Sequence, residues 1–77
     1  PNPAKGLTNV QYTLDQNTEV SIGLIDMLGN PIKKITKGPQ QAGTYTETIE
    51  TSQLATGSYI ITLKKGRVTE SLRLVVQ

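Results

Sequence analysis

The chain has 77 residues, eight basic and six acidic side chains, a net charge of +2, and neither cysteine nor histidine. That length supports one small domain. The missing residue types exclude disulfides, thiolate nucleophiles, zinc–thiolate sites and histidine-based catalysis, and the charge excess is too small to argue for nucleic acid.

The first six residues, "PNPAKG", read as a junction to whatever precedes them, and 7–77 as the domain proper. Pro1 in place of Met leads us to expect a piece of a longer chain, with any export leader upstream. No signal-peptide pattern and no apolar run of 18 residues is present, so no membrane span is read.

Eleven threonines, with frequent Val and Ile, are strand composition. Period-two alternation recurs along the chain, and helical periodicity is hard to find. Leu7 to Leu14 sets Val10, Tyr12 and Leu14 on one face. "DQNT" turns the chain, and Glu19 to Asp26 sets Val20, Ile22 and Leu24 inward with Ser21 and Gly23 outward. Gly29-Asn30 tolerates positive φ and predicts a hairpin turn. Pro31 opens a short strand to Ile35, placed at a sheet edge because Pro lacks the ladder donor. Ile32 and Ile35 have opposite parity, so either a bulge intervenes or one of them is exposed. "TKGPQQAG" reads as a loop.

Thr44 to Glu50 puts Tyr45, Glu47 and Ile49 on one face, which suits an edge or imperfectly covered strand. "TSQLATG" reads as a loop whose Leu54 plugs one end of the core. Ser58 to Lys65 directs Tyr59, Ile61 and Leu63 inward, and Gly57 before it is expected to avoid a side-chain clash at the strand entry. After Gly66, Arg67 to Val76 places Val68, Leu72, Leu74 and Val76 on one face. Six strands with frequent turns and no helices between them predict a small antiparallel β-sandwich or barrel.

Little in this sequence suggests chemistry. Only carboxylates could hold a metal, and Asp15, Glu19 and Asp26, the nearest set, lack EF-hand spacing; turn caps or solvated carboxylates account for them better than a weak calcium site. No cofactor, catalytic or metal-binding residues are assigned. The lysines suit a solvated strand face. A sugar platform needs exposed aromatic rings, and of three tyrosines only Tyr45 has a parity that could expose it.

Four stretches in order carry a resemblance: "PNPAKG" at 1–6, "VSIGLIDMLGNPIKKI" at 20–35, "QAGTYTETIETSQLATGSYIITLKKG" at 41–66, and "SLRLVVQ" at 71–77. Together they resemble the C-terminal sorting domain of the type IX (Por) secretion system, type A. Pro1, Asn2, Pro3 and Ala4 match the opening motif, and Asp26 and Gly29 match the central hairpin. Gly43, Leu54, Gly57 and Tyr59 match the "AG…LxxGxY" spacing. Arg73, Leu74, Val75 and Val76 match the terminal basic–aliphatic motif. Ile25 stands where Tyr or Phe is frequent, and Arg73 where Lys is.

The resemblance implies an immunoglobulin-like sandwich of six to seven strands, non-enzymatic and expected as a monomer. It also implies an upstream cargo, covalently attached, and partners in the outer-membrane translocon and a cell-surface sortase that usually removes the domain. The route is periplasm, then cell surface or extracellular space. Arg73 to Gln77 are the candidate signal, since strand parity asks for Leu72, Leu74 and Val76 inside but not for Val75 or the cation. The alternative reading is an Ig-like spacer or a carbohydrate-binding accessory module of a secreted enzyme.

Overall fold

A computed structural model describes residues 6–77. Six strands form: β1 (Leu7–Leu14), β2 (Thr18–Asp26), β3 (Pro31–Gln40), β4 (Gly43–Glu50), β5 (Gly57–Lys65) and β6 (Val68–Val76). β1 and β4 pair as a two-stranded sheet, and the others form a sheet ordered β3-β2-β5-β6, with every pairing antiparallel. The fold is a small antiparallel sandwich, one of the two forms that the alternation allows, and of the immunoglobulin-like kind that the resemblance implies. Its two hairpins, β2–β3 and β5–β6, join through the non-local β2–β5 ladder. Pro1 to Ala4, in the expected junction, lie outside the described residues.

The core sits between the sheets because each pleat sends alternate side chains to one side. Val10, Tyr12, Leu14, Val20, Ile22, Leu24, Tyr59, Ile61 and Leu63 are all buried, as their parity requires. Ile49, Leu74 and Val76 complete the core, and Leu54 packs against its end. Thr8 extends the inward row of β1, a position the apolar pattern passes over. Its hydroxyl is buried without a hydrogen-bond partner among the described residues.

β3 departs from expectation. In place of a short strand and a loop, it runs on from Pro31 to Gln40, and the connection to β4 shrinks to Gln41 and Ala42. Two bulges make this possible. Leu24 pairs with Lys33 and Ile25 with Pro31, leaving Ile32 extra; Val20 pairs with Gly38 and Ser21 with Thr36, leaving Lys37 extra. Ile32 is therefore both bulged and exposed, while Ile35 packs on the core. An edge strand tolerates Pro39 because its outer N–H positions need no partner. The second bulge re-aims Lys37 toward the other sheet, where its Nζ meets Glu47 Oε1 at 3.0 Å. That contact holds the Lys37 ammonium above its ordinary pKa and accounts for a carboxylate at inward parity on β4. Tyr12 also ties the sheets, its hydroxyl donating to Gln40 Oε1 at 2.7 Å.

On β6 the expectation is half corrected. Leu74 and Val76 are buried at 1% and 4% exposure, whereas Val68 and Leu72 stand 56% and 53% exposed despite the same parity. The small sheet has two strands against four, and a groove of about 240 Å³ remains between β1 and β6 beside Leu72. Leu74→Ala should therefore cost about 2–5 kcal/mol in urea unfolding, and Leu72→Ala less than about 1 kcal/mol. Equal losses would contradict the incomplete cover of β6.

Candidate functional site

The terminal motif lies along one half of β6, and the register sets the other motifs beside it. Gly57 pairs with Val76, Ser58 with Val75, Tyr59 with Leu74 and Ile60 with Arg73. On the far side of β5, Asp26 pairs with Tyr59. The β2–β3 turn, the start of β5 and the end of β6 thus share one end of the larger sheet. Gly6 reaches the same end, its carbonyl accepting from the Thr51 N–H in the loop that carries Leu54. Gly43 pairs with Leu14 at the opposite end of the fold and does not join this group.

Within the motif, burial divides the residues. Leu74 and Val76 are core, Val75 is half-buried on the outward face, and Arg73 and Gln77 are exposed. Arg73 Nη2 donates to Ser58 Oγ at 3.1 Å, so the residue between Gly57 and Tyr59 holds the Arg73 guanidinium in place.

The Asp26 turn has a different shape from the one expected. Its central residues are Met27 and Leu28, with the Gly29 N–H donating to the Asp26 carbonyl. Gly29 has φ +89°, and among the described residues no non-glycine has positive φ, so Asn30 does not use that freedom. Asn30 instead feeds the Asp26 carboxylate: Asp26 Oδ1 accepts from the N–H groups of Leu28 and Asn30 at 2.9 and 2.8 Å, and Oδ2 from Asn30 Nδ2 at 3.2 Å. These donors favour the ionised form, and the Asn30 N–H, with the largest effect, holds Asp26 below the ordinary carboxylate pKa. A depressed folded pKa contributes stability above the unfolded value, and that stability is lost as pH falls through the folded one. The melting-temperature gap between the native chain and Asp26→Asn should therefore be widest above about pH 5 and close toward about pH 2. A constant gap would mean that the charge is not what organises the turn.

Gly57 and Tyr59 form a second local device. Tyr59 is buried, and its hydroxyl donates to the Ala55 carbonyl at 2.6 Å, a corner that pins the loop to the strand it enters. Gly57 adopts φ +154°, and a Cβ there would meet nothing within 4 Å. The glycine is needed for its backbone angle, which corrects the clash expected from sequence. The same device recurs at Gly43 and Tyr45, with φ +152° and a 2.6 Å bond from the Tyr45 hydroxyl to the Gln41 carbonyl. Only the twice-used Gly–hydroxyl–Tyr order, "GTY" and "GSY", hints at it in the sequence. Tyr59→Phe should cost about 1 kcal/mol in chemical denaturation, and the more exposed Tyr45→Phe less than about 0.5 kcal/mol.

The remaining candidates are not assembled. Glu19 pairs with Pro39 and Asp26 with Tyr59, placing those carboxylates near opposite ends of β2, and no metal-ligand cluster occurs among the described residues. The three tyrosines offer no open platform: Tyr12 and Tyr59 are buried, and Tyr45 stacks on Tyr12 with centroids 5.5 Å apart.

A family model described as a secretion system C-terminal sorting domain matches residues 1–77. No curated protein and no solved structure matches. The match covers the whole chain. The chain belongs to the C-terminal sorting domains of the type IX secretion system.

Proposed function

We propose that the sorting signal is read from the folded domain through the outward groups of the last strand: Arg73, Val75 and Gln77. The observation that carries this reading is the burial of Leu74 and Val76, at 1% and 4% exposure. Those aliphatic side chains act by fixing β6 in register with β5, which presents the other three to a partner. The partners are the outer-membrane translocon and then a sortase. A covalently attached cargo crosses with the domain and is separated from it upstream of Pro1. The cargo ends at the cell surface or in the medium. The domain performs no catalysis of its own.

The test fuses residues 1–77 to a periplasmic reporter in a bacterium carrying the type IX system. Deleting Arg73 to Gln77 would remove core residues along with the signal, so a surface substitution separates the two roles better. The unaltered fusion is expected in the medium or on the cell surface. Arg73→Glu should lower export by about tenfold while the melting temperature changes little. Retention of a folded, unaltered fusion would overturn the sorting reading, and full export of Arg73→Glu would remove Arg73 from the signal.

A further inference from the structure

The two outward faces of the sandwich differ in charge. On the small sheet, Asn9, Gln11 and Thr13 stand beside Thr44, Thr46 and Thr48, a surface with no cation among these residues and with the exposed Glu50 carboxylate at its end. The large sheet presents cations. One cross-strand row reads Thr36, Ser21, Lys64, Thr69; the next reads Lys34, Gly23, Thr62, Ser71. A third adds Ile25, Ile60 and Arg73. An exposed carboxylate, Glu19, stands at a corner of this face and borders the larger of its depressions. Two open depressions of about 420 and 330 Å³ lie on the face, and Ser21, Lys34 and Lys64 border both.

Protection of a sheet edge explains a lysine on β3 but not Lys64, which sits on β5 between two paired neighbours. Gly23 is also out of place, because glycine weakens a central strand. A Cβ there would stand 2.7 Å from Thr62 Oγ1, so the glycine keeps the surface between the two lysines low. The half-buried Ile25 and Ile60 continue the same face toward Arg73.

We propose that this face is a second recognition surface, docking an acidic protein partner. Carboxylates of the partner lie over Gly23 between Lys34 and Lys64, and its aliphatic side chains cover Ile25 and Ile60. Charge complementarity fixes the sign of the partner. The adjoining isoleucines favour a protein over a polysaccharide, since all three tyrosines point into the core or stack on the other sheet. In the cell the inference rests on the sorting reading, with the partner belonging to the export machinery; in solution it stands alone.

Two experiments test it. In the reporter fusion, Lys34→Gln with Lys64→Gln leaves six basic against six acidic residues, and Gln11→Glu with Gln16→Glu leaves eight against eight, so both pairs bring the formal net charge from +2 to zero. The lysine pair should lower export roughly tenfold with folding unchanged, and the glutamine pair should not. Equal export by both pairs overturns the cellular role while leaving the sorting reading intact. Failure of the unaltered fusion strikes the sorting reading instead. In solution, a synthetic peptide alternating Glu and Val should shift the backbone amide resonances of Ser21 to Ile25 and Ile60 to Lys64. Its Gln counterpart, and the lysine-substituted chain, should show at least a tenfold weaker response. Absence of those shifts, or tighter binding of dextran sulfate at the same residues, overturns the acidic protein partner.

Discussion

Everything in this domain depends on the burial of Leu74 and Val76 in the core between the sheets. Each contributes on the order of 1.5–3 kcal/mol, a large share of the stability of so small a sandwich. A strand that supplies core residues cannot be spared for recognition alone. The pleat divides alternate residues between the core and the surface, and the proposed reading of the last five residues rests on that division. The terminal aliphatic run is therefore two interleaved sets of residues facing opposite ways.

The same division organises the neighbours of β6. Tyr59 is directed inward and locks the entry to β5 through the Ala55 carbonyl, while Ser58, one residue earlier, faces outward and receives Arg73. Asp26 closes the next strand of the sheet with three hydrogen bonds to its turn. Motifs far apart in sequence are thus the ends of three adjacent strands, and their grouping follows from register alone.

Inward and outward assignments on β1, β2 and β5 were legible because the strand period is fixed by covalent geometry. What failed was what depends on distant partners. Gly38-Pro39 is a strong local turn signal, yet pairing with β2 carries β3 through it, with Lys37 bulged out. Val68 and Leu72 have the inward parity expected of them, but parity does not say whether a strand lies opposite, and the second sheet is too narrow. Gly57 was rightly singled out for the wrong reason, since backbone angles leave no mark on an apolar pattern. At the site, the motif residues themselves were readable. The contact between Arg73 and Ser58, and the separation of Gly43 from the rest, required the ladder.

The twin Gly–hydroxyl–Tyr devices show how position gives a common turn its importance. Both place a glycine near φ +153° and return a tyrosine hydroxyl to the carbonyl four residues back. At Tyr45 the strand that follows is in the small sheet, and the hydroxyl lies at the surface. At Tyr59 the ring is in the core and the strand that follows is β5, which pairs with both β2 and β6. Loosening the first would disturb one edge of a two-stranded sheet. Loosening the second would release the strand that sets the register of β6, displacing Arg73 from Ser58 and Leu74 from the core together. The family spacing "LxxGxY" is, on this reading, the clamp that keeps the terminal residues facing the right way.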